Sequence, residues 1–219
     1  GRAGRLRPGK CYRLWSENQQ QQMAAHATPE ILNADLAPVA LELLRWGISD
    51  PEELTWLDYP GKGQWQQSMA LLESLGAIDP ANGGQSLTEQ GLQLSKLAVH
   101  PRIAHMLICG QMIERAQTAC LIASSLSDRD PFGHDQPDFQ DRLDILEGRS
   151  KCPNQFRGWF HRTHQLAEQF DAQVKQLNIS ASAYPIEEHQ LLGYLIACAY
   201  PDRIARQRHS GGFQLANGR

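Results

Sequence analysis

Between Thr28 and Tyr200 the apolar residues recur three and four apart, in blocks punctuated by glycine, proline and capping hydroxyls. That period places one apolar stripe on each of a series of α-helices. Thr28-Pro29-Glu30 is a helix start, with a hydroxyl to cap and proline at the first position. Ile31, Leu32, Leu36, Val39, Leu43 and Leu44 follow at helical spacing as far as Gly47. Trp65, Met69, Leu72 and Leu75 make a second stripe, closed by Gly76. Ala77-Ile78-Asp79 and Gln85-Ser86-Leu87 flank a turn rich in proline and glycine and predict a hairpin. Thr88 caps a third helix carrying Leu92, Leu94 and Leu97. Helices followed by a small hairpin predict a winged-helix domain over residues 28–100.

The next hundred residues predict a helical bundle, so the fold class is mainly α. Ile103, Leu107, Ile108, Met112 and Ile113 line one helix, Ala119 to Leu126 a second, and Phe139 to Leu146 a short third. Lys151-Cys152-Pro153-Asn154-Gln155-Phe156 opens a long helix that runs to about Leu177. A last apolar helix covers Ile186 to Tyr200. Ahead of all these, Glu17 to Ala27 is a glutamine-rich polar connector.

With 41% apolar and 21% charged residues, the 219-residue chain has ample material for a core. Its five cysteines include no CxxC pair, which points to reduced thiols and a cytoplasmic setting. No secretory leader is visible, and the longest apolar run, Leu191 to Tyr200, is too short to span a bilayer. Charge is unevenly spread. Residues 1–15 hold five bases and no acid, residues 16–100 hold eleven acids against three bases, and the remainder balances. A duplex-DNA reader draws most of its affinity from cations on phosphates, and the acidic winged-helix region has almost none to offer. The charge count disfavours a free-standing transcription regulator, which would bind duplex DNA.

The basic N-terminus reads Gly1-Arg2-Ala3-Gly4-Arg5, then a short turn, then Gly9-Lys10-Cys11-Tyr12-Arg13-Leu14-Trp15-Ser16. Arg2 and Arg5 are three apart, and their planar forks suit a multiply charged phosphate. Gly4 to Cys11 nearly spells a phosphate-binding P-loop. However, Cys11 stands where a hydroxyl should meet magnesium, Pro8 removes an N–H, and the alternating aromatic CYRLW predicts a strand rather than a helix. GRAGR followed by GKCYRLWS resembles the last motor motif of DEAH-type superfamily 2 helicases, although the family's preceding Gln-Arg pair is absent. The resemblance implies that residues 1–27 end a second RecA-like motor domain. It further implies that Arg2 and Arg5 reach the ATP γ-phosphate as catalytic arginines.

The resemblance continues through PEIL, LELLRWGI, WLDYP, ALLESLGAID and LTEQGLQLSKLAVHPRIAHML, which match the family's winged helix in order and spacing. Cys152, Phe156 and the closing Gln176-Leu177 are similar to its ratchet helix, within a bundle over 101–200. Near that helix, Arg149, Lys151, Arg157, Arg162, His161 and His164 are interleaved with Phe156, Trp159 and Phe160. Cations hold phosphates and flat rings stack on unpaired bases, so Arg149, Lys151, Arg157, Trp159 and Arg162 are the candidate RNA contacts. Phe156 and Phe160, four apart, suit the core. His161 and His164 have helical metal spacing, but no nearby ligand completes a set, so no metal is expected.

Pro201-Asp202-Arg203-Ile204-Ala205-Arg206, then Phe213-Gln214-Leu215-Ala216-Asn217-Gly218, resembles the bacterial HrpB subfamily, where this passage enters an OB-fold. Residues 201–219 would be its truncated start, a lone first strand displaced from regular packing, and Arg203, Arg206 and Arg208 further RNA contacts. The resemblance therefore implies a C-terminal piece of an ATP-dependent RNA helicase moving on single-stranded RNA. ATP and Mg2+ would bind the larger protein rather than this piece, whose partners in cis are the missing motor domains. The piece itself is expected to be monomeric, off the membrane and without ATPase activity. The rival reading is a non-enzymatic protein-interaction scaffold.

Overall fold

In the computed structural model, residues 4–24, 26–83, 86–133, 136–182, 185–208 and 211–216 are described. Residues 4–15 are exposed and irregular. The strand predicted at Cys11–Trp15 does not form. A strand needs a neighbour for its backbone hydrogen bonds, and none lies beside this segment among the described residues. The polar connector instead holds helix α1 (Glu17–Gln22), started by a reciprocal cap. Ser16 Oγ accepts from the Gln19 N–H at 3.3 Å, and Gln19 Oε1 accepts from the Ser16 N–H at 3.0 Å.

The helix predicted from Thr28 begins later. Glu30–Leu32 make one 3-10 turn, and α2 (Ala37–Arg45) starts where Asp35 Oδ1 accepts the Ala37 N–H at 2.9 Å, with Pro38 in the first turn. Leu32 and Val39 are consequently turned outward. Gly47 and α3 (Lys62–Ser74) with Gly76 close as expected, both glycines taking positive φ (83° and 65°). The hairpin shrinks to one antiparallel bridge, Ile78↔Leu87, with Gln85 outside the described residues. Thr88 Oγ1 accepts the Gly91 N–H at 3.0 Å and opens α4 (Glu89–Leu94). Gly91 packs so tightly that a Cβ there would overlap the Ala77 carbonyl oxygen. Leu94 and Leu97 are buried, whereas Leu92 faces out.

Five more helices follow: α5 (Pro101–Met112), α6 (Ala116–Ser127), α7 (Phe139–Leu146), α8 (Arg157–Lys175) and α9 (Glu188–Ala199). Helix α5 is the hub, packing on α2 and α4 and also on α6, α8 and α9. One core therefore runs from Leu72 and Leu94 through Met106 and Leu107 to Ile122 and Leu195. His100 ties the two regions together. Its Nε2 lies 3.2 Å from Asp35 Oδ2 at the start of α2, while its Nδ1 accepts the Arg102 N–H at the start of α5. The long helix starts at Arg157 rather than Lys151, because Pro153 leads into a 3-10 turn, Asn154–Phe156.

Beyond α9, β1 (Ala205–Gln207) pairs antiparallel with β2 (Phe213–Leu215), Arg206 opposite Gln214. The lone strand expected here has a partner, which takes up its backbone hydrogen bonds. No helix among the described residues is long and apolar enough to cross a membrane.

Burial gives the α5–α9 contact a pH signature. It depresses the His105 pKa from the usual 6.5, although the bond to the Cys198 carbonyl opposes it. The unfolded chain therefore takes up the proton first, so this contribution is complete above 6.5 and lost as pH falls towards the depressed value. The urea midpoint should drop between neutral pH and mild acid. His105→Gln should flatten that drop without removing it, because His100 is depressed in the same direction, by burial above all.

Candidate nucleic-acid interface

Helix α8 buries Trp159, Thr163, Ala167, Phe170 and Val174, one stripe at helical spacing set against α6. Arg157, His161, Arg162 and Gln165 are left exposed. Trp159, expected to stack on RNA, is a core residue at 3% exposure. Its ring meets Phe132 edge-on at 5.6 Å, and Phe132 in turn lies 4.5 Å from Phe156. No face of the indole is open to a base. Phe156 and Phe160 are half-buried against the core, as expected, with Phe160 set 4.4 Å from the His164 ring. His164 Nε2 is taken by the Leu146 carbonyl at 3.1 Å.

The four candidate cations around α8 divide into two kinds. Arg162 gives Nε and Nη2 to Asp128 Oδ2 at 3.1 and 2.9 Å. The Arg129 N–H and this guanidinium hold the Asp128 carboxyl below its usual range. Arg149 reaches Asp144 at 2.9 Å, also pairs with Glu147, and lies 4.0 Å from Glu188. Gln140 first and Arg149 next hold Asp144 below its usual range. Both arginines, though partly exposed, thus have carboxylate partners on the bundle. Lys151 and Arg157, by contrast, are exposed and have no ion pair or hydrogen bond from their side chains among the described residues. They flank the 3-10 turn that leads into α8.

A second basic group stands elsewhere. Arg203 lies over the Tyr200 ring at 4.8 Å, while Arg206 and Arg208 are exposed on the hairpin with unpaired side chains among the described residues. Arg149 sits beside Glu188 at the start of α9, and Arg203 follows its end. Helix α9, twelve residues and about 18 Å long, runs between those two points. Arg2 lies outside the described residues, and Arg5 is exposed.

The P-loop-like Gly4–Cys11 opens no helix, since α1 begins only at Glu17. No cluster of histidine, cysteine and carboxylate among the described residues could hold a metal. Sequence reasoning missed the buried Arg142, which fixes the loop between α6 and α7. Its guanidinium reaches Asp130 Oδ2 at 2.8 Å and the Asp138 carbonyl at 2.7 Å, and covers the Phe132 ring at 4.5 Å. An arginine on the apolar side of α7, between Phe139 and Leu143/Leu146, was the available signal.

Over the residues it spans, the chain belongs to the DEAH-type ATP-dependent RNA helicases. It is 35% identical across all 219 residues to ATP-dependent RNA helicase HrpB of Escherichia coli (strain K12), covering 24% of that protein. It is 38% identical over 133 residues to ATP-dependent RNA helicase HrpA of the same organism, covering 60% of this chain and 10% of that one. The crystal structure of the Escherichia coli DEAH/RHA helicase HrpB aligns with a TM-score of 0.70 at 32% identity, over 98% of this chain and 24% of the other. The chain thus spans about a quarter of the HrpB length. No protein-family model matches it.

Proposed function

We propose that this chain is the accessory C-terminal part of an ATP-dependent RNA helicase, guiding single-stranded RNA while motor domains hydrolyse ATP. Residues 1–27 end the second motor domain, 28–100 form a winged-helix bridge, 101–200 a ratchet-like bundle, and 201–219 begin an OB-fold. Arg2 and Arg5 serve the ATP γ-phosphate, while ATP and Mg2+ are held by the motor domains, working in the cytoplasm. The observation that carries the reading is the exposed pair Lys151 and Arg157 at the entry to α8, unpartnered among the described residues, in a chain whose whole length aligns with about a quarter of HrpB. Arg206 and Arg208 extend the RNA path, and Arg149 and Arg162 hold its walls.

Titration of the purified, monomeric chain with labelled single-stranded RNA tests this. Two phosphate contacts give a log–log salt slope of about −1.4, and four give about −2.8. Binding that falls with salt inside that range is expected, together with no ATP hydrolysis by the chain alone. Turnover of ATP would contradict the assignment. One observation favours a protein scaffold instead: Trp46, Leu57 and Tyr59 are exposed in the acidic region, and Tyr59 lines a groove of about 500 Å³ with Trp65 and Met69. RNA binding absent at every salt concentration would select that alternative.

A further inference from the structure

We propose that Arg102 is a positioning residue for RNA binding, holding the end of α9 so that the hairpin presents Arg206 and Arg208 to the strand. The inference rests on the RNA-guiding role proposed above. The hairpin needs such an anchor. Strands β1 and β2 pair with each other, and apart from the half-buried Leu215 their residues are exposed. They join the bundle through the 3-10 turn Pro201–Arg203, which leaves α9 at Tyr200.

A helix ends in carbonyls that find no partner within it. Arg102, in the first turn of α5, supplies one for α9. Its Nη1 donates to the Ala199 carbonyl at 3.2 Å, and the same nitrogen donates to Asp202 Oδ1 in the turn. Its guanidinium also lies 5.2 Å from the centre of the Tyr200 ring, the ring that Arg203 covers at 4.8 Å. One side chain thus touches Ala199, Tyr200 and Asp202, the passage from helix to hairpin.

The placement favours α9 over α5. A cation in the first turn of α5 is repelled by that helix's own dipole, whereas at the C-terminus of α9 it is attracted. The near end of the clamp is itself fixed. His100 Nδ1 accepts the Arg102 N–H at 3.2 Å, and His100 Nε2 lies 3.2 Å from Asp35 Oδ2 at the start of α2. The Arg102 side chain is only 16% exposed, and its bond holds the Asp202 carboxyl below the usual range. Arg102 therefore does not meet a phosphate itself and acts through Arg206 and Arg208.

Single-stranded RNA titration of the full chain across salt tests this, with Asp202→Ala as the deciding variant. Removing an acid beside an RNA path raises affinity if charge alone matters, whereas releasing the hairpin lowers it. Asp202→Ala should bind several-fold more weakly at low salt and lose about 1.4 of the salt slope, the share of two phosphate contacts. Arg102→Met, which keeps the apolar stem, should do the same. Arg102→Lys should keep the wild-type slope, because both bonds leave one nitrogen and an ammonium has donors for each. Adding Arg206→Ala/Arg208→Ala to Asp202→Ala should change little further. Adding Lys151→Ala/Arg157→Ala should weaken binding as much as it does in the wild type, which also shows the bundle intact. Wild-type or tighter binding by Asp202→Ala overturns the proposal alone, as do additive losses from Asp202→Ala and the hairpin pair. No binding by the unmodified chain overturns the RNA-guiding role and the proposal with it.

Discussion

Trp159→Ala should destabilise the chain by about 3–5 kcal/mol, the cost of removing a large aromatic from a packed core. The indole is 3% exposed and closes the Phe132–Phe156 aromatic cluster, which Arg142 covers from the other side. Truncation opens a cavity at the point where the α6–α7 loop meets α8. Trp159→Phe keeps a ring there and removes the indole Nε1, a buried donor without a partner. It should therefore cost clearly less than alanine. Urea unfolding of the two variants gives the ratio, and RNA titration of folded Trp159→Phe gives the functional half of the test. A core role leaves its RNA affinity at the wild-type value, whereas a stacking role lowers it.

Gly110→Ala should destabilise by about 1–3 kcal/mol, although alanine is normally the better helix residue by about 1 kcal/mol. The added Cβ would overlap Ala119 Cβ, an atom fixed directly to the α6 backbone, so α5 and α6 would have to separate. Gly193 in α9 is the counterpart, also inside a helix but with nothing within 4 Å of its missing Cβ. Gly193→Ala should gain about 0.5–1 kcal/mol. Adding Ala119→Gly to Gly110→Ala should recover most of the loss, because the offending methyl is then gone. Thermal unfolding of these variants separates contact from propensity, and equal shifts at Gly110 and Gly193 would refute the close crossing.

What the sequence disclosed was local. Helix α7 was legible to the residue, and Gly47, Gly76 and Thr88 were legible as boundaries, because caps and positive-φ glycines act within a turn. Thr28-Pro29 misled because an equally good start, Asp35 ahead of Pro38, lies seven residues on and leads into the buried stripe. Pro153 should have pushed the long helix past Lys151. Trp159 was legible too, since Thr163, Ala167, Phe170 and Val174 continue its stripe. The interleaving of rings with cations outweighed that period. Charge partners were not legible. Asp128 is 34 residues from Arg162, and although Asp144 and Glu147 stand only five and two residues before Arg149, the loop after α7 that turns it onto them has no periodic signal, so chemistry alone could not separate occupied cations from free ones.

That separation is also the most direct test of the RNA path. Single-stranded RNA affinity should be measured across salt for Lys151→Ala/Arg157→Ala and for Arg149→Ala/Arg162→Ala. The first pair should bind more weakly at low salt and lose about 1.4 of the salt slope, whereas the second should keep the wild-type slope. A wild-type slope in Lys151→Ala/Arg157→Ala, with the loss in the other pair, would contradict the account.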